Sequence, residues 1–209
     1  AQPDPEFLVE RFRQATGRGL SRMLRVLGRV GPEAARKAIA VRLEGADGPT
    51  QAALLKALSD NPGLYDQRLR PTLASMAAAG GRIRVAVIDV FCRAGDKDAA
   101  KVLWAWAEDA TFDTWERIDV MALMRGLIKL SGEKQTLAFI DGVLNRTSLF
   151  RRKQLFATQT AVIESLTESA SGEAVQLLKR HGTEGRKALR PPCNTALQKL
   201  AARARTAKP

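Results

Sequence analysis

At 209 residues the chain is long enough for one ordinary domain or a short helical array, and 45% hydrophobic with 27% charged residues excludes wholesale disorder. No run of about 20 apolar residues occurs, because the richest stretch, 85–92, is broken by Asp89, and this excludes a transmembrane helix inside the chain. The net charge of +12 and pI near 10.4 point to polyanionic partners: an acidic protein, nucleic acid or an anionic membrane surface.

Apolar spacing and punctuation predict twelve helices. The first, 5–15, lies in a 1–17 N-terminal cap. The second, 19–30, carries Leu20, Met23, Leu24 and Leu27 on one side. Then come 32–43, 49–60, 66–79, 82–94, 96–108, 114–130, 133–145, 149–168, 172–181 and 190–205, with 206–209 expected to fray. Pro32, Pro49 and Pro192 suit first turns, Asp96, Thr111 and Ser131 suit N-caps, and Pro71 requires the fifth helix to start late or kink. No segment alternates long enough to argue for a sheet, and no linker divides 1–209, so a single all-α domain is expected.

A turn signature recurs along these helices: an apolar pair, a glycine break, an acidic or Pro-led restart, and a second apolar helix. Its copies are LGRVGPEAARKAIAVRL (27–43), FCRAGDKDAAKVLWAWAED (91–109), LIKLSGEKQTLAFIDGVL (127–144) and LTESASGEAVQLLKR (166–180), with a weaker one at 58–73. The anchors Gly31, Gly63, Gly95, Gly132 and Gly172 lie 32, 32, 37 and 40 residues apart. One helix pair cannot bury its apolar face alone, so a near-constant period of this length predicts stacked repeats. The motif at 91–103 resembles the HEAT repeat in its short bacterial form, over roughly 18–205. That resemblance implies a right-handed α-solenoid of about six antiparallel helix pairs. The second helices of the pairs (19–30, 49–60, 82–94, 114–130, 149–168 and 190–205) would form its concave side.

Those second helices, with Arg18 included, hold 18 basic residues against six acidic ones. On 19–30, Arg22, Arg25 and Arg29 fall with Arg18 within about 60° of one another, opposite the leucines. The later helices add Arg82, Arg84 and Arg93, then Arg125 and Lys129, then Arg151, Arg152 and Lys153, then Arg190, Lys199 and Arg203. These fourteen residues are the candidate polyanion-binding set. The competing expectation is that they merely solvate helix faces, as an Asp89–Arg93 pair at i,i+4 would. Residues 148–209 alone carry +8.

Trp104, Trp106, Phe112 and Trp115 cluster in sequence. Trp106 shares the core face with Ala99 and Leu103, whereas Trp104 points elsewhere and is expected to be an exposed aromatic open to a partner. HEAT-like DNA glycosylases combine a basic concave face with Trp and a catalytic Asp; Asp109 and Asp113 lie near these tryptophans, but no residue-by-residue match can be made. His181, the only histidine, is expected at a solvated helix end, and it makes no zinc site with the distant Cys92 and Cys193, which are expected as buried thiols. No catalytic, cofactor-binding or metal-binding residues are assigned, and no Walker-type or dinucleotide loop occurs. The opening AQPDPE at Ala1 suits a segment left by processing of a parent chain, which would leave a membrane tether open, although a cytoplasmic location is expected. The expectation is a non-catalytic scaffold holding an acidic protein partner in a basic concave groove, the alternative a nucleic-acid binder contacting phosphates without sequence preference.

Overall fold

The computed structural model describes residues 4–169 and 171–206; the side chains of Pro5, Gly17 and Arg18, and the tail 207–209 expected to fray, lie outside that description. The described residues contain twelve α-helices and no strand. They group into two compact units, 1–99 and 100–209.

The first unit holds α1 (Pro5–Gln14), α2 (Gly17–Val30), α3 (Pro32–Glu44), α4 (Gly48–Asp60), α5 (Arg70–Met76) and α6 (Gly81–Ala94). Helix α2 packs on α4 and α4 on α6, while α1 and α3 pack on each other and on α2. Leu20, Leu24 and Leu27, at i, i+4 and i+7, put three branched side chains on one stripe, and all three are fully buried. Leu54, Leu55 and Leu58 of α4 and Val87, Ile88 and Phe91 of α6 extend that core. Asp4 and Asp47 cap α1 and α4 by accepting from the Glu6 and Thr50 amides at 3.0 and 2.9 Å. The fifth helix is shorter than the predicted 66–79. Pro71 cannot donate an amide to a preceding turn, so it takes the second position of a helix begun at Arg70, with 3₁₀ turns on either side.

The second unit holds most of α7 (Ala99–Glu108), then α8 (Arg117–Ser131), α9 (Glu133–Asn145), α10 (Arg152–Ser169), α11 (Gly172–Thr183) and α12 (Arg190–Thr206). Helix α8 packs on α10 and α10 on α12, with α9 packing on α11. Three cross-links run in the same order along both sequences: Thr158 donates to the Asp113 carbonyl, Arg117 meets Glu164, and Arg125 meets Glu168. Helices α8 and α10 are therefore parallel. The tenth helix begins at Arg152 rather than 149, leaving Leu149 and Phe150 in a bend before it. Cys193, at the start of α12, is fully buried, and burial pushes its thiol up to about 11; Cys92 is half-buried.

Four of the five anchor glycines fall between an even-numbered helix and the odd-numbered one that follows, and the fifth, Gly172, is the first residue of α11. Only two need glycine for the backbone: Gly95 (φ 68°), which ends α6 in the left-handed region, and Gly132 (φ 99°), which joins α8 to α9. Of the expected N-caps, Asp96 accepts from the Ala99 amide at 3.3 Å. Ser131 instead closes α8, because the glycine after it makes the break.

Candidate cationic binding surfaces

Helix α2 carries the clearest site. Its buried leucines turn Arg22, Arg25 and Arg29 outward, and all three are exposed. At 1.5 Å rise per residue they form a line about 10 Å long. None makes an ion pair or hydrogen bond among the described residues, and Val26, 42% exposed, sits among them. A shallow groove beside the line is bounded by Arg25, Gly28, Arg29, Asp60, Asn61 and Leu64. Leu64 reaches Gly28 so closely that a Cβ there would stand 2.9 Å from its methyls. The one carboxylate of this groove, Asp60, is held at 2.6 Å by Lys56.

The remaining candidates divide. Arg82, Lys129, Arg151, Arg152, Lys153 and Lys199 are exposed and their side chains have no partner among the described residues. Five are committed. Arg93 pairs with Asp89 at 3.0 Å, as the i,i+4 spacing predicts, and Asp89 also accepts from Ser59. Arg125 meets Glu168 at 3.4 Å. Arg84, Arg190 and Arg203 donate to the backbone carbonyls of Ala77, Gly185 and Thr167 at 3.0, 3.0 and 2.7 Å. These three satisfy carbonyl groups near helix ends or loops, a role the chain pattern does not reveal. Beyond its first turn, α4 exposes Ala52, Lys56 and Asp60, so it presents a balanced pair instead of a cationic line.

Trp104 is not an open aromatic. Its ring stands edge-on to Phe139 at 5.5 Å, and its Nε1 donates to Ser131 Oγ at 2.8 Å, so α9 and the end of α8 half-bury it. Phe112 bridges the cluster, 5.9 Å from Phe139 and 5.8 Å from Trp115. His181 is likewise not solvated. It is buried, with Nε2 2.7 Å from Asp141 Oδ1, and Arg180 reaches the same oxygen at 2.6 Å. Burial raises the Asp141 carboxyl, but these two contacts outweigh it and hold it below the usual carboxylate range.

Asp96, a buried carboxylate, was legible only as a helix cap. Asp96 receives Arg70 through Nε and Nη2, both at 2.8 Å, the Tyr65 hydroxyl, and the Asp98 and Ala99 amides at 3.1 and 3.3 Å. Desolvation raises its carboxyl, and the bonds from Arg70 and Tyr65 reverse the shift to a net lowering; burial and the same carboxylate push the Tyr65 hydroxyl up. With five donors on two oxygens, Asp96 is committed to joining the 65–70 turn to the start of α7. Arg42 is another residue that composition hides. Its guanidinium donates to the Phe12 and Ala15 carbonyls, closing the end of α1, and lies 5.1 Å over the Phe12 ring. No group of three or more metal-ligating side chains occurs among the described residues, and no described helix is long and apolar enough to cross a membrane.

Compared with family models, curated proteins and solved structures, the chain matches none.

Proposed function

We propose that the chain is a HEAT-like scaffold, a right-handed α-solenoid of about six helix pairs, that holds an acidic protein partner without catalysing a reaction on it. Three features support the architecture: even-numbered helices pack side by side within each unit, α8 and α10 run parallel, and the anchor glycines lie at or before the start of each following pair. The observation that carries the function is the unpartnered line Arg22–Arg25–Arg29 with Val26 exposed among the arginines. Guanidinium groups bind carboxylates in bidentate geometry, and an apolar side chain between them gives a carboxylate-rich amphipathic peptide a contact that bare phosphate lacks. The groove between Arg25, Arg29 and Leu64 offers the same mixture.

The net charge of +12 favours the second reading, nucleic acid held through phosphates. Titrating the chain at about 50 mM salt with a labelled peptide of alternating glutamate and leucine, and with duplex DNA, separates the two. The scaffold reading expects peptide binding that falls at least about tenfold in R22E/R25E/R29E, the loss of three charged contacts. DNA binding that weakens steeply with salt and is abolished by the same variant, with no binding of the peptide, replaces it by the nucleic-acid reading. Binding to neither removes both.

A further inference from the structure

The bend before α10 exposes what a soluble surface normally hides. Leu149 is 75% and Phe150 98% exposed, and Phe156, on the first turns of α10, is 42% exposed. Arg151, Arg152 and Lys153 lie between them, all exposed and with no side-chain partner among the described residues. No acidic residue occurs between Asp141 and Glu164. Of the flanking carboxylates, Asp141 is held by Arg180 and His181, Glu164 by Arg117, and Asp113, which faces the same loop, lies 3.7 Å from Arg146. None of these carboxylates pairs with a cation of the tip.

The tip also stands on a fixed base. Buried Gln159 donates its amide to the carbonyls of Val143, Leu144 and Arg146 at 2.9, 3.3 and 3.1 Å, closing the end of α9. The Arg146 carbonyl accepts a further bond from Arg186 at 2.7 Å, which adds a fifth exposed cation to the neighbourhood alongside Arg146. Ser148 Oγ accepts from the Arg151 amide at 2.9 Å, and the Arg151 carbonyl starts α10 by accepting from Leu155. Two large apolar side chains are thus presented at a pinned bend, directly ahead of three cations.

We infer that residues 149–156 dock the chain on an anionic lipid bilayer, Leu149 and Phe150 entering the acyl boundary while Arg151, Arg152 and Lys153 meet the headgroups. Charge complementarity selects this occupant. A protein partner would have to supply both a pocket for a side chain that projects almost wholly into solvent and a ring of carboxylates around it; a bilayer with anionic lipids supplies apolar depth and surface charge at once. Docking of this kind is peripheral and reversible, because neither the apolar area nor the charge suffices alone.

The test is cosedimentation of the full chain with phosphatidylcholine vesicles, with and without about one-third phosphatidylserine, at about 0.1 M salt. The expected result is binding only to the anionic vesicles. Each cation contributes about fivefold, so R151S/R152S/K153S binds about a hundredfold more weakly. L149S/F150S loses about tenfold although no charge changes. Both variants alter only exposed side chains, and circular dichroism checks that their helix content is that of the parent chain. Absence of binding overturns the proposal. So does equal binding to neutral vesicles, or unchanged binding by L149S/F150S, which would reduce the effect to adsorption by net charge. A dimer in ultracentrifugation that L149S/F150S converts to monomer also overturns it, because a second copy would then cover the tip.

Discussion

Helices α2 and α8 occupy corresponding places, each followed by an anchor glycine and each packed against the next even-numbered helix, yet their arginines have different fates. On α8, Arg117 and Arg125 meet Glu164 and Glu168 of parallel α10. On α2, Arg22, Arg25 and Arg29 find no carboxylate, because the one exposed carboxylate of neighbouring α4, Asp60, is already paired with Lys56. A cation's availability is therefore decided by the helix beside it. Charges of the α8 kind contribute to stability, whereas those of the α2 kind stay unpaired among the described residues.

That distinction is sharpest where charge is most deeply committed. Asp96→Ala leaves Arg70 and the Tyr65 hydroxyl without their acceptor and uncaps α7, so urea unfolding should show a loss of about 3 kcal/mol. Gly185→Ala would place a Cβ 2.5 Å from the His181 carbonyl, a backbone contact that must give way. It should cost about 2 kcal/mol by thermal unfolding and disturb the turn that seats His181 on Asp141. At the half-exposed α8–α10 seam, E164K/E168K replaces two attractions by repulsions and should cost about 1–2 kcal/mol, less at high salt. R22E/R25E/R29E should leave the unfolding midpoint unchanged while weakening peptide binding; a large fall in midpoint would place α2 in the same class as α8.

Acid gives a further comparison. Asp96 and Asp141 are held below their ordinary values, and Asp66 is held at about 2 by its bonds from Arg68. A carboxyl depressed on folding adds stability above its unfolded value near pH 4 and loses it as pH falls through the folded value. Unfolding free energy should therefore be level above about pH 5 and decline from pH 4 toward 2. D141N should remove part of that decline, and R22E/R25E/R29E none of it.

The helices were legible because their evidence is local. Leu20, Leu24 and Leu27 opposite three arginines fix both faces of α2 within one helix, and Pro32 and Asp96 punctuate their own starts. What was not legible depended on distant chain. Nothing around Arg125 points to Glu168, nor around Arg84 to the Ala77 carbonyl. Trp104 lies off the core stripe of its own helix, and its cover comes from Phe139 and Ser131. The tripeptide Arg151–Lys153 was visible as charge. Its setting beside bare Leu149 and Phe150 was not, because a helix beginning at 149 would have placed them in a regular turn.

Cys193 offers a practical consequence. Alkylating reagents attack only the thiolate, and this sulfur is both sealed from solvent and proton-bound at neutral pH. In a C92S background, the rate at which iodoacetamide modifies the folded chain is a clock for the opening of the α11–α12 hairpin. Its dependence on urea would tell whether that last hairpin detaches alone or only when the second unit unfolds.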